Sequence, residues 1–143
     1  MNSFESIVNS LSVYLEKLLE QKEYCFDELT KSKIENHFCT SNPVSGVFVM
    51  FEKGEPVYIG RSKTLAQRIG VDLRSIQKSQ ATLTYKLMKS ELLSFKTMEE
   101  ARTYMYKHFT IKMFPLQDEH ERAIFQIYAS MKLRTKYNSF MES

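Results

Sequence analysis

Two short apolar runs joined by a polar turn, within residues 45–68, constrain the fold of this chain more than any other stretch. The segment reads SGVFVMFEKGEPVYIGRSKTLAQR, with apolar runs at 46–51 and 56–60 and the turn at 52–55. Two such runs around a short Gly-containing loop predict a β-hairpin. Residues 64–69 then predict the start of a helix, with Ser62 or Thr64 at its N-cap.

The end of this hairpin carries side chains that suit an anion site better than a hydrophobic core. Tyr58 lies in the second apolar run, Arg61 follows that run, and Arg68 lies in the predicted helix. Since the strand leaves the sheet where the helix begins, we expect the phenol and the two guanidinium groups to lie near one another. Arginine suits phosphate because its planar fork can donate two parallel hydrogen bonds.

These residues also resemble the signature of the GIY-YIG nuclease superfamily. The triplet GVF at 46–48 stands for the first motif, YIG at 58–60 matches the second, and Arg68 follows Tyr58 by ten residues, as in that family. The closing stretch is similar to the final helix and Asn of the family, with Asn138 in the Asn position. The resemblance covers residues 44–140, most of the chain.

The resemblance and the apolar patterns together imply an α+β fold. We expect a small, mainly antiparallel three-stranded sheet flanked by helices, with strands in the hairpin and at 109–114 and a last helix from Asp118. A capping box at 97–100 predicts a helix to about His108, and residues 81–93 predict another. We divide the chain into an N-terminal helical extension, 1–43, with an amphipathic helix at 3–23, and a GIY-YIG-like nuclease domain, 44–143.

The resemblance assigns roles to individual side chains. Tyr58 would activate the nucleophile or bind phosphate, Arg61 and Arg68 would bind the scissile phosphate, and Asn138 would support the site. Phe48 stands where the first motif of the family has a Tyr, and its ring cannot form the hydrogen bonds of a phenol.

Position 126 is the more important departure from the family. Gln126 precedes Asn138 by twelve residues, where the family has a metal-binding Glu. The family cofactor would be Mg²⁺ or Mn²⁺, and a neutral amide oxygen holds such a cation more weakly than a carboxylate does. On the last helix Glu119, Arg122, Gln126 and Ser130 recur at helical spacing, so we expect position 126 to point away from an apolar face formed by Ile124, Ile127, Tyr128 and Met131.

Charge in this chain is divided unevenly between its halves. Residues 1–60 hold five Lys and Arg against nine Asp and Glu, and residues 61–143 hold fifteen against eight, which sums to the formal net charge of +3. A basic half suits contact with a polyanion, and the basic runs are Lys78, Lys86, Lys89 and Lys132, Arg134, Lys136. DNA, duplex or structured, is the expected partner, with RNA also compatible.

The location expected from the sequence is the cytoplasm. No apolar run approaches the ~20 residues needed to span a bilayer, and the N-terminus lacks a signal-peptide profile, so no membrane partner is expected. The N-terminal amphipathic helix either packs on the core or forms a partner contact, for example in a homodimer.

Three interpretations remain open at this point. The chain is a metal-dependent DNA endonuclease whose metal-binding Glu is replaced by Gln126, and is therefore inactive or weak. Alternatively, it is a natural GIY-YIG-like protein that binds nucleic acid or a protein without cutting. In the third interpretation it is an unrelated interaction protein that matches the motifs by chance.

Overall fold

The computed structural model describes residues 3–75 and 97–140, which form helices around one antiparallel sheet. The helices are α1 (Phe4–Leu19), α2 (Lys31–Phe38), α3 (Leu65–Gly70), α4 (Met98–His108) and α5 (Glu119–Leu133). The strands are β1 (Tyr24–Cys25), β2 (Gly46–Glu52), β3 (Glu55–Ser62) and β4 (Phe109–Pro115). Two turns of 3₁₀-helix lie at Phe26–Glu28 and Asp72–Arg74. The α+β class is confirmed.

Within residues 3–75 and 97–140, the sheet has four strands in the order β1-β4-β2-β3, so β3 forms one edge. The prediction of three strands was wrong by one, because Tyr24 and Cys25 pair with Ile111 and Thr110 of β4. Two residues show no alternation that a sequence pattern could reveal. The division of the chain at residue 43 stays a prediction, although β1 lies before that boundary and joins the sheet.

The predicted hairpin is formed by β2 and β3. Lys53 and Gly54 have φ values of 52° and 85°, so both central residues of the turn are left-handed. That is the conformation of a two-residue type I′ turn, and it favours glycine at the second position. The register shifts between Met50 and Phe51, which pair with Tyr58 and Pro56 and leave Val57 as the extra residue of a β-bulge.

The two faces of the sheet bury two separate cores. Phe48 and Met50 of β2 belong to the first core, which Leu65 and Ile69 of α3 and Ala101 and Met105 of α4 also line. Val47 and Val49 belong to the second core, which is lined by Ile7, Leu11 and Leu18 of α1 and by Phe125 and Ala129 of α5. The sheet therefore separates side chains that are adjacent along each strand.

Side-chain caps begin α1, α4 and α5, whereas at α3 Thr64 takes the N-cap position without a side-chain capping bond, and its amide instead donates to the Ser62 hydroxyl at 2.9 Å. Ser3 accepts a hydrogen bond from the Ser6 amide at 3.2 Å, and α1 ends at Leu19, before the predicted residue 23. Thr97 accepts from the Glu100 amide at 3.2 Å, and Asp118 accepts from the Glu121 amide at 2.9 Å. These bonds satisfy amides that have no partner within their own helix.

The predicted helix at 81–93 and most of the polar stretch at 72–80, with Lys78, Lys86 and Lys89, lie outside the described residues. Within the described ranges, none of the helices has the length and apolar character needed to cross a bilayer.

A candidate anion site on the edge strand

The peptide groups of Ile59 hold three elements together at the outer edge of the sheet. The Asn138 side chain accepts from the Ile59 amide at 2.8 Å and donates through Nδ2 to the Ile59 carbonyl at 2.9 Å. Gln126, on α5, donates through Nε2 to the same carbonyl at 2.9 Å. An edge strand leaves such groups without a β partner, and here two side-chain amides supply the missing bonds.

The segment after α5 lies along this edge. Arg134 ends the helix in the left-handed conformation, with φ of 53°. Thr135 then donates through its hydroxyl to Asn138 Oδ1 at 2.6 Å, and the Tyr137 amide donates to the Val57 carbonyl at 3.0 Å. Residues 135–138 thus cover the outer edge of β3, and Asn138 has a structural role in binding the backbone of Ile59.

Arg61 is held at the same place by an uncharged partner. Its Nε donates to Gln126 Oε1 at 2.8 Å, and the side chain is otherwise exposed. Within residues 3–75 and 97–140, the Arg61 guanidinium forms no ion pair and its two terminal amino groups have no hydrogen-bond partner. A full positive charge is therefore fixed in place at Nε without being neutralised.

The orientation of α5 differs in part from the sequence expectation. Ile127 and Met131, predicted on the apolar face, are 47% and 72% exposed, whereas Arg122 and Ser130, predicted on the polar face, are buried. Arg122 tolerates burial because its guanidinium donates to the carbonyls of Leu116 and Gln117, at 3.0 and 2.6 Å. The helix is rotated relative to the expectation, and Gln126 lies at the border of the buried face.

Tyr58 and Phe48 belong to the opposite face of the sheet. Tyr58 is only 9% exposed and lies in the first core, with its ring centroid 6.1 Å from that of Phe48. The ring of Phe48 covers Gly60 so closely that a Cβ at residue 60 would overlap it. Because side chains alternate along a strand, Tyr58 and Gly60 face this core while Ile59 and Arg61 face α5.

Arg68 lies on α3, a helix that packs against the first core, whereas Arg61 lies on the face of β3 that contacts α5. Arg68 is half-buried in the last turn of α3, whose Leu65 and Ile69 are buried in the first core beside Tyr58. The structure thus brings Arg61, Gln126 and Asn138 together around Ile59. It does not place Tyr58 on the same face as Arg61, contrary to the clustering expected from their proximity in the sequence.

A buried carboxylate that the sequence analysis did not single out anchors the same C-terminal segment. Glu52, at the end of β2, accepts from the hydroxyls of Tyr104 and Tyr137 and forms an ion pair with Lys136 at 3.2 Å. Burial pushes the pKa of Glu52 upward, but the hydrogen bonds from Tyr104 and Lys136 outweigh it, so its pKa lies below the ordinary value. The sequence signal that could have revealed the burial of Glu52 is strand alternation, since residues 48, 50 and 52 point to the same, buried face of β2.

The pKa of Tyr104 reflects the same contact. Burial, together with the hydrogen bond to the Glu52 carboxylate, raises the pKa of Tyr104 to about 12. The phenol therefore stays protonated and continues to donate to Glu52 throughout the physiological range.

The donor set around Gln126 does not suit a divalent cation. Its amide oxygen already accepts from a guanidinium, and its nitrogen donates to Ile59. In the part of the chain that the structure describes, no three His, Cys, Asp or Glu side chains form a group that could hold a metal ion. A hard dication prefers several oxygen ligands, including carboxylates, and a fixed Arg would repel it.

Comparison with known proteins adds a likeness of fold. Neither a family model nor a curated protein matches the chain. Among solved structures, the chain is similar to the GIY-YIG N-terminal endonuclease domain of UvrC from Thermotoga maritima, in three Tyr-to-Phe variants bound to the catalytic divalent cation of that domain. Identities are 22, 21 and 20%, each alignment covers 75% of this chain and 96–97% of that domain, and the TM-score is 0.44.

Proposed function

We propose that this chain is a GIY-YIG-type nuclease domain that acts on the phosphodiester backbone of DNA, with hydrolysis weakened or abolished by the amide at position 126. The observation that carries the proposal is the exposed Arg61 guanidinium, which an uncharged side chain holds and no carboxylate neutralises within the described residues. Such a group is suited to a phosphate oxygen, because arginine binds phosphate through two parallel charge-assisted hydrogen bonds. The excess of basic residues after residue 60 favours the same ligand.

In hydrolysis, a water oxygen forms a bond to phosphorus while the bond from phosphorus to one sugar oxygen breaks. The products are a phosphate monoester end and a hydroxyl end, and the water supplies the proton that the leaving oxygen takes. In this proposal Arg61 neutralises charge that develops on the phosphoryl oxygens. Arg68 and Tyr58 are the further candidates for phosphate contact, from the side of the edge strand that faces the first core.

Because the Gln126 amide is bonded to Arg61 and Ile59, no step of hydrolysis is assigned to Mg²⁺ or Mn²⁺ in this chain as it stands. A carboxylate at position 126 would add the negative charge that the described site lacks, and with it an oxygen ligand of the type that these cations prefer.

Nicking of supercoiled plasmid in the presence of Mg²⁺ or Mn²⁺ tests the proposal. The unchanged chain should nick weakly or not at all, and the Gln126→Glu variant should nick measurably faster. Circular dichroism and urea denaturation of both proteins establish that they are equally folded. Equal rates for the two proteins, or nicking that survives Arg61→Ala at full rate, would contradict the proposed site.

A second candidate function is binding of nucleic acid without cleavage. The specific observation in its favour is that both ends of the Gln126 amide are used, one as donor and one as acceptor, which is a role that a carboxylate cannot fill. In this case neither protein nicks plasmid, while the unchanged chain binds duplex DNA in a salt-sensitive way. The cytoplasmic location and a homodimer contact through α1 stay predictions.

A further inference from the structure

We infer that Gln126 is a positioning residue for phosphate binding: its neutral amide fixes the Arg61 guanidinium at the edge of the sheet and leaves the charge of Arg61 free for a backbone phosphate of DNA. The inference rests on the proposed function in one respect, namely that DNA is the ligand. It differs from that function in assigning position 126 to binding rather than to a metal ion.

The hydrogen bonds of Gln126 hold Nε of Arg61 at the edge of the sheet. Gln126 is itself tied to the Ile59 carbonyl through Nε2, and its Oε1 accepts from Nε of Arg61. The contact uses a single donor of the five that an arginine carries. The two terminal amino groups remain outside the contact, and together they form the planar fork that binds a phosphate in bidentate fashion.

The neutrality of the partner decides what the site can bind. A carboxylate at position 126 would form an ion pair with Arg61 and cancel its charge at the surface. It would also place a negative oxygen next to the Ile59 carbonyl, which now accepts from Gln126 and Asn138. An amide avoids both effects, because it accepts from the guanidinium on one side and donates to the carbonyl on the other.

The bond from Arg61 to Gln126 should strengthen DNA binding because it holds the Arg61 side chain in place before DNA binds. A free arginine loses side-chain entropy when a ligand fixes it. Arg61 is already held at Nε by Gln126, which is held in turn by β3, so part of that loss is incurred before DNA arrives. Changes at position 126 should therefore weaken DNA binding even though Gln126 itself does not touch DNA.

The test is DNA binding by fluorescence anisotropy with a labelled duplex in EDTA, so that no cleavage occurs. Binding is measured from about 50 mM to about 200 mM NaCl for the unchanged chain, Arg61→Ala, Gln126→Glu and Gln126→Ala. The matched control is Gln117→Glu, which makes the same change of charge at an exposed residue just before α5. The double variant Arg61→Ala, Gln126→Glu completes a double-mutant cycle.

We expect Gln126→Glu to weaken binding roughly tenfold at low salt and to reduce the salt slope by about 0.9, the value for one phosphate contact. Gln126→Ala should weaken binding less, because the Arg61 charge persists but is no longer held. In the Arg61→Ala background, Gln126→Glu should change affinity no more than the Gln117→Glu control does. A purely structural role of Gln126 would not produce this dependence on Arg61.

One result would overturn the inference while leaving the proposed function intact, namely a Gln126→Glu variant that binds like the Gln117→Glu control while Arg61→Ala binds poorly. Salt-sensitive DNA binding that Arg61→Ala does not weaken would overturn the inference and would also remove Arg61 from the proposed site. If the unchanged chain shows no salt-sensitive DNA binding at all, the proposed function and the inference both fail.

Discussion

The side chain of Phe48 explains why residue 60 is glycine. The Phe48 ring is fully buried and lies directly over the Gly60 backbone, where any Cβ would overlap it. The Gly60 requirement is thus one of packing in the first core. A phenylalanine in the first motif and a glycine in the second belong to one contact across β2 and β3, where the two residues are paired.

This contact predicts a loss of stability for Gly60→Ala. The added methyl group must displace a buried aromatic ring, and overpacking of this kind typically costs about 1–3 kcal/mol. Urea denaturation measures the change. In the double variant Phe48→Leu, Gly60→Ala the smaller side chain relieves the overlap, so the combined loss should be less than the sum of the two single losses. Additive losses would show that the ring is not what excludes the methyl group.

Glu52 predicts a pH dependence of stability. Its pKa is lower in the folded protein than the ordinary value of 4.5, so its contribution is complete above about pH 4.5 and is lost as the pH falls through the folded pKa. Glu52→Gln should therefore lower the free energy of unfolding at neutral pH and reduce its dependence on pH in the acid range. Urea denaturation at a series of pH values measures both effects.

The exposed Glu55, three residues further along in the hairpin, provides the matched control. Glu55→Gln changes the charge equally but removes no buried contact, so its stability should follow that of the unchanged chain. If Glu52→Gln and Glu55→Gln have the same pH profile, the buried contacts of Glu52 are not the source of the acid sensitivity.

At the level of elements, the segment after α5 behaves as a cover for the edge strand. Residues 135–138 bond to the backbone of β3 at Val57 and Ile59, and Glu52 binds Lys136 and Tyr137 of the same segment. Open strand edges promote pairing with other chains. This cover therefore bears on association as well as on the proposed site.

Asn138→Ala should lower the free energy of unfolding by about 1–3 kcal/mol, because the Ile59 amide loses its acceptor in a partly buried place. Chemical denaturation measures this loss, and light scattering detects any accompanying association through β3. The exposed neighbour Ser139 supplies the control, since Ser139→Ala should leave stability unchanged. An Asn138→Ala protein as stable as the Ser139→Ala control would show that the bonds to Ile59 add little.

The turns and helix starts that are formed by residues close together in the sequence could be predicted from the sequence alone. The type I′ turn needs only Lys53 and Gly54 between two apolar runs, and the caps at Thr97 and Asp118 bond to amides three residues ahead. The orientation of α5 could not be predicted in the same way, because it depends on contacts outside the helix. A helical repeat of polar residues does not reveal that Arg122 is buried against the carbonyls of Leu116 and Gln117.

Contacts between distant residues could not be predicted in this way. Tyr104 and Tyr137 reach Glu52 across 52 and 85 positions, and Arg61 reaches Gln126 across 65. The motif residues Tyr58, Arg61 and Arg68 could be recognised by their order. The separation of Tyr58 and Arg61 onto two faces follows from side-chain alternation along β3, which the expectation of a single cluster did not take into account.

For the whole molecule, the uneven charge predicts which half of the chain would contact DNA under the proposed function. Residues 61–143 carry the basic excess, and Lys132 and Arg134 are exposed at the end of α5. They lie close in sequence to the segment that seals β3. Under the proposed function, DNA would therefore run along the edge strand and the end of α5.

Replacing Lys132 and Arg134 by Gln should reduce the salt slope of DNA binding by up to about 1.8, the value for two phosphate contacts. Anisotropy titrations over a range of NaCl concentrations measure the slope. The corresponding change of two exposed lysines in the acidic half, Lys17 and Lys31, should leave the slope nearly unchanged. Equal changes for the two pairs would indicate that only the net charge matters.

The order of the strands also determines when each strand can find its partner during synthesis of the chain. Residues of β2 and β3 are separated by a two-residue turn, so the hairpin can close soon after it leaves the ribosome. β1 must wait much longer, because its Tyr24 pairs with Ile111 of β4. When β4 is made, it must insert between β1 and β2, both of which were synthesised earlier. Until β4 emerges, β1 and the edge of β2 that pairs with β4 lack their β partners.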